Sequence, residues 1–171
     1  MKNTSKYTSN PLRYPVISLG AEYLTIGHLM RRNIFAYKAP PNNQGYDLIC
    51  IHPDPDTDSK VIRVQVKSRY QTDCDRAFPV KDTTFKSFDY LIVVFLNIGY
   101  FYRRRPTHEG IREPEFYTLP VNFVKKHHKI VKSGWQKVST KNLDIDCYKN
   151  ENGFELIAKD LGIKYPSREK S

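Results

Sequence analysis

Val61-Ile62-Arg63-Val64-Gln65-Val66-Lys67 alternates apolar and polar residues after its first step. Successive side chains of a strand point to opposite faces. Ile62, Val64 and Val66 therefore share one face, and Arg63, Gln65 and Lys67 share the other. Gln65 and Lys67 point the same way, an amide and an amine side by side. The pair is either the solvated edge of a sheet or part of a polar site. Two carboxylates stand upstream: Asp47 at the start of an apolar run, and Glu22 inside a helical pattern.

Working outward, Leu19 to Arg32 has a helical period, with Ser18 as a plausible N-cap. Leu19, Tyr23, Ile26, Leu29 and Met30 form one apolar stripe, with Glu22 inside it and Thr25, His28, Arg31 and Arg32 on the polar side. A carboxylate on a buried face is costly unless it is paired, as with an arginine such as Arg63, or binds a metal. Asn33 closes the helix. Ile34–Lys38 and Tyr46–His52 read as strands. Pro53-Asp54-Pro55-Asp56-Thr57-Asp58-Ser59 reads as a solvated hairpin tip leading into the Lys60–Arg69 strand, so this pair is expected to be antiparallel. Residues 70–86 look irregular. Phe88 to Leu96 is the most apolar run, long enough for a central strand buried on both faces. Tyr100–Arg104 and Glu115–Leu119 read as further strands, Val121–Lys132 as a helix, Trp135 as a turn anchor, and Glu151–Leu161 as a last helix stopped by Gly162. The sum is an α/β chain with a mixed sheet flanked by helices. The expected organisation is an N-terminal arm over 1–17, one domain over 18–165, and a polar tail over 166–171.

Phosphodiester hydrolysis needs a water nucleophile, charge neutralisation and stabilisation of the leaving group. Divalent cations such as Mg2+ supply much of this and prefer carboxylate and carbonyl oxygens. Glu22, Asp47, Gln65 and the backbone carbonyl of Val66 are oxygen donors of that kind, and Lys67 can orient an attacking water and offset phosphate charge. Gly20-Ala21-Glu22-Tyr23, Gly45-Tyr46-Asp47-Leu48-Ile49 and Val64-Gln65-Val66-Lys67-Ser68 together resemble the PD-(D/E)XK, or restriction-like, nuclease superfamily. The similarity is to the variant whose third motif is QxK, as in restriction-like homing endonucleases and related prokaryotic nuclease-like domains. It covers residues 18 to 97, and Phe88–Val94 resembles the strand that follows the motif. Tyr46 stands where the pattern has a proline, and Gln65 carries one negative charge fewer than the usual acid.

The resemblance implies a restriction-endonuclease-like core and a Mg2+-dependent endonuclease acting on double-stranded DNA, with Mn2+ as an alternative ion. It implies Asp47 and Gln65 as metal ligands, Val66 as a carbonyl ligand, Glu22 as the helix-borne acid and Lys67 as the catalytic lysine. It further implies 5′-phosphate and 3′-hydroxyl products and a homodimer or higher homo-oligomer. A non-catalytic nucleic-acid-binding module on the same fold is the alternative, and a regulatory protein with an acidic protein partner is a third reading.

The 171 residues carry 28 Lys and Arg against 18 Asp and Glu, a formal net charge of +10. Such an excess suits a polyanionic partner. Basic residues interleaved with aromatics in Tyr100-Phe101-Tyr102-Arg103-Arg104-Arg105, and the lysines Lys125 and Lys126, are candidate DNA contacts, as are Ser68 and Arg69 beside the site strand. Residues 70–86 and 103–114 are the candidate substrate loops. Cys50, Cys74 and Cys147 are odd in number and widely spaced, which fits neither a disulfide framework nor a zinc site. No run reaches the roughly 18 apolar residues of a membrane span, and a cytoplasmic protein without membrane contact is expected.

Overall fold

The structure, a computed structural model, describes residues 12–164 except 42, 44, 59, 103–105 and 107. Helix α1 (Tyr14–Arg31) leads into strands β1 (Phe35–Lys38), β2 (Leu48–Ile51) and β3 (Ile62–Arg69). Strand β4 (Ala77–Pro79) and a 3-10 turn at Asp82–Thr84 precede β5 (Tyr90–Phe95) and β6 (Glu115–Pro120). Helix α2 (Val121–His127), strands β7 (His128–Ile130) and β8 (Gln136–Ser139), and helix α3 (Asn150–Asp160) complete the chain.

Five strands form the main sheet in the order β1-β2-β3-β5-β6, and three form a second sheet in the order β4-β8-β7. The β2–β3 pair is antiparallel, as the hairpin tip between them predicts, while β3 and β5 run parallel with Gln65 beside Leu91 and Lys67 beside Val93. Parallel neighbours need a long crossover. Here it is the stretch from Tyr70 to Asp89, which holds β4 and the 3-10 turn.

Each face of the main sheet has its own core. Ile62, Val64 and Val66 join Leu29, Ile92, Phe154 and Ile157 on the side of α1 and α3. Leu91, Val93 and Phe95 join Phe78, Val80, Val124 and Val138 on the side of α2 and the second sheet. All six residues of β5 are buried, which answers to its unbroken apolar sequence.

Several sequence expectations are corrected. Helix α1 starts at Tyr14, four residues before Ser18, because Pro15 falls in the first turn where its missing N–H costs nothing. Its buried line is Ala21, Thr25 and Leu29, whereas Leu19, Tyr23 and Met30 are exposed. Small side chains let the helix approach β1 and β3 closely, and Thr25 satisfies its hydroxyl by donating to the carbonyl of Ala21 at 2.8 Å. Asn33, at φ 58°, ends the helix as expected. Tyr100–Tyr102 is a loop and not a strand: Asp73 accepts from the amides of Phe101 and Tyr102, each at 3.1 Å, so side-chain bonds replace a ladder there. The segment expected to be irregular, 70–86, contains β4. The helix expected to reach Lys132 stops at His127, where the chain turns extended at His128 and pairs with β8. Residues 1–11, Arg103, Arg104, Arg105 and the 166–171 tail lie outside the described residues. Among the described residues, no helix is long and apolar enough to cross a membrane.

Helix α3 docks on β6 by close approach. A Cβ at Gly153 would fall on the carbonyl of Tyr148 and lie 2.9 Å from Thr118 Oγ1. Backbone cannot yield as a flexible side chain can. Gly153→Ala is therefore expected to cost about 1–3 kcal/mol, an overpacking cost, read as a lowered midpoint in chemical denaturation.

Candidate functional site

Asp47 sits where β2 begins. Its amide donates to the carbonyl of Val64 at 2.8 Å, and its carbonyl accepts from Ala39 at 2.8 Å. Its side chain then turns back, so that Oδ2 accepts from the amide of Val66 at 2.7 Å. The backbone polar groups of a strand alternate between its two edges. The carbonyls of Arg63 and Arg69 accept from Asp89 and Leu96 on the β5 side, and that of Val64 accepts from Asp47 on the β2 side. By the same alternation the amide and carbonyl of Val66 both face the β2 edge, past the Leu48–Val64 pair where the β2–β3 register ends. The amide is taken by Asp47, and the carbonyl faces the same opening.

Gly45 stands two residues before Asp47, packed against Ser87. It holds φ at 100°, which favours glycine, and a Cβ there would lie 2.8 Å from Ser87 Oγ. Glu22 comes from the other side of the sheet, on α1, one position beyond the buried Ala21. It is ion-paired with Lys38 at the end of β1. The arginine that the sequence offered as its partner, Arg63, is engaged elsewhere: it pairs with Asp89 at 3.2 Å.

Glu22, Asp47, Val66, Lys67, Ser68 and Arg69 together line one cavity of about 240 Å3. Gln65 does not share that wall. It lines an adjoining cavity of about 390 Å3, and Lys67 lines both. Gln65 is only 7% exposed, because the second sheet covers the face that the alternation leaves polar. Its Oε1 has no hydrogen-bond partner among the described residues. A buried acceptor left unpaired costs free energy, so this oxygen suits a donor or a cation. The Asp47 carboxylate, the Val66 carbonyl and this orphaned amide oxygen are donors of the kind a hard divalent ion takes, divided between two adjoining cavities. Among the described residues, no three His, Cys, Asp or Glu side chains cluster to hold a metal. The set therefore depends on neutral oxygens as well as carboxylates.

Arg69 is tied back by donating to the carbonyl of Ala77, and its guanidinium lies 5.2 Å from the Phe78 ring centre. Ser68 and Arg69 also wall a larger cavity of about 520 Å3 that includes Tyr14, Tyr70 and Tyr102. Lys125 and Lys126 are exposed on the last turn of α2. Burial raises the Cys50 thiol to about 12, in keeping with an inert core residue. Sequence reasoning did not single out Lys38, whose role comes from β1 ending beside α1, a tertiary contact without a local signal.

The five-stranded mixed sheet with helices and the second sheet packed on it is a restriction-endonuclease-like fold. In that fold the chain is similar to a bacterial homing endonuclease, I-Ssp6803I, with a TM-score of 0.52 and 16% identity over 88% of this chain and 94% of that one. A Holliday junction resolvase, Hjc of Archaeoglobus fulgidus, aligns with a TM-score of 0.45 and 10% identity over 88% of this chain and 99% of that one. No protein-family model matches the chain. No curated protein matches it either.

The Asp47–Val66 bond separates two substitutions that look alike on paper. Asp47→Ala strips the acceptor from a partly buried amide and is expected to cost about 1–3 kcal/mol of stability. Asp47→Asn keeps an acceptor and is expected to stay within about 1 kcal/mol of the native chain, the net worth of one ordinary hydrogen bond. Urea unfolding of the two variants beside the native chain measures the difference.

Proposed function

We propose that the chain is a divalent-metal-dependent endonuclease cutting phosphodiester bonds of double-stranded DNA. The observation that carries the reading is the convergence of Asp47, Val66 and Lys67 on one cavity at the start of β2. In this reading Asp47 and Val66 would hold Mg2+, with Mn2+ able to replace it. Gln65 would add an oxygen donor from the adjoining cavity, and Glu22 would contribute through water. A bound divalent cation supplies charge neutralisation at the phosphate oxygens and favours ionisation of the attacking water. Lys67 donates to the scissile phosphate and orients the water that attacks it in line. The hydrogen bond from Val66 holds the Asp47 carboxylate in place, so little reorganisation is needed on binding. Lys125, Lys126 and Arg69, with Ser68 beside the last, contact the backbone of the DNA, and the Arg103-Arg104-Arg105 run of the sequence adds positive charge to the chain. A homodimer would bring two such sites to the two strands of a duplex.

A second reading, a DNA-binding module without catalysis, draws on one observation: Lys38 already neutralises Glu22. In that reading the cavity holds a phosphate beside Lys67 and Arg69 and does no chemistry.

A plasmid-nicking assay decides between them. With Mg2+ the native chain is expected to relax and linearise supercoiled DNA. Asp47→Asn and Lys67→Ala are each expected to lose at least a hundredfold in rate, the scale on which single catalytic groups act. Chelation by EDTA should abolish cutting. Salt-sensitive binding with no cutting by any chain would support the binding module. Equal cutting by all three would remove the site from this cavity. In either reading, DNA affinity is expected to fall linearly on a log–log plot against salt, through counterion release, as fluorescence anisotropy at several KCl concentrations would record.

A further inference from the structure

The 390 Å3 cavity adjoining the candidate site has its own aromatic wall. Trp135, the single tryptophan of the chain, is 41% exposed at the turn between β7 and β8 and lines the cavity with Gln65, Lys67 and Lys81. Lys137 Nζ stands 4.7 Å from the indole ring centre, and Lys137 is not part of the cavity wall. The ammonium thus lies over the indole ring, which also forms part of the cavity wall.

The turn that carries Trp135 is rigidly seated. Val131 donates to the Trp135 carbonyl at 3.0 Å, and Val80 donates to the Gln136 carbonyl at 3.2 Å. The amide of Asp82 donates to Gln136 Oε1 at 2.6 Å, and β8 pairs with β4. The cavity wall carries two lysines, Lys67 and Lys81, and no carboxylate, with Asp82 at its rim held through its amide by Gln136. An aromatic face among lysines matches a nucleotide, with a base to stack and a phosphate to neutralise.

Lys67 decides where the phosphate lies. It lines both cavities, so one nucleotide can place its phosphate on the Asp47 side and a neighbouring base against Trp135. A base within a duplex offers only its edges to a protein, because its faces are covered by its neighbours. An indole face inside a concavity can stack only on a base that has left the helix. We infer that Trp135 is a stacking platform for an unpaired nucleotide next to the scissile phosphate, and that the substrate class is DNA carrying such a nucleotide. This deepens the nuclease reading and rests on it for the position of the scissile bond.

Because Trp135 is the only tryptophan, its fluorescence reports stacking directly. The full chain in EDTA, where no cutting intervenes, is titrated with a duplex containing one central unpaired nucleotide and with the fully paired duplex of the same length. The unpaired-nucleotide duplex is expected to quench the emission strongly, the paired duplex little. By anisotropy, Trp135→Ala is expected to weaken binding of the unpaired-nucleotide duplex by roughly five- to a hundredfold, the range of one base–aromatic stack. Its binding of the paired duplex should change by less than about twofold, the scale of a surface substitution. Trp135→Phe should recover most of the loss. Equal quenching by both duplexes, no quenching by either, or equal loss on both would overturn the assignment. The two proposals fail separately: Mg2+-dependent cutting without selective quenching leaves the nuclease and removes the platform, and selective quenching without cutting does the reverse.

Discussion

Strand β3 must be satisfied on four sides at once. Its edges bond to β2 and β5, its apolar face meets α1 and α3, and its polar face meets the second sheet. Only at its C-terminal end, past the start of β2, does the strand run without a neighbour on one edge. Backbone groups there are partly buried, and leaving them unbonded costs free energy. Asp47 answers this by folding its carboxylate back onto the amide of Val66. That hydrogen bond finishes the ladder and at the same time fixes a carboxylate at the mouth of a cavity. The structural need and the chemical arrangement are one and the same contact.

The same economy applies to the polar face. Arg63 finds Asp89, and Lys67 reaches the boundary between two cavities. Gln65 between them is covered but keeps an unbonded amide oxygen. A chain selected for stability alone would place an aliphatic residue there. The stranded oxygen is a cost, and strain or dissatisfaction of this kind concentrates where a protein binds something.

How far the sequence could be read follows from which signals are local. The alternation in 61–67 and the unbroken run in 88–96 each declare their own burial, so β3, β5 and the flanking sheet pairs were legible. Asn33 and Gly162 mark helix ends through their own backbone preferences. The face of α1 was not legible, because the hydrophobicity of Leu19 and Tyr23 argued for burial while the geometry of close helix–sheet packing favoured Ala21 and Thr25. The second sheet was invisible for another reason. Strands β4 and β7 are three residues each and owe their existence to β8. The gathering of Glu22, Asp47 and Lys67 could be anticipated from motif order, whereas the displacement of Gln65 to the neighbouring cavity and the engagement of Glu22 by Lys38 depend on tertiary contacts.

The shared position of Lys67 has a bearing on how such a protein can change. Whatever replaces that lysine alters both cavities together, so chemistry and the choice of partner strand are tied at this residue. The β7–β8 turn is different. It projects from a sheet anchored by β4 and lines the Gln65 cavity but not the Asp47 one, so changes in its length and composition act on the first and spare the second. Surface connections of this kind tolerate insertion readily. The fold thus separates a conservative half from an adjustable one, and an engineer seeking a new preference would diversify the turn around Gly134 and leave β3 alone.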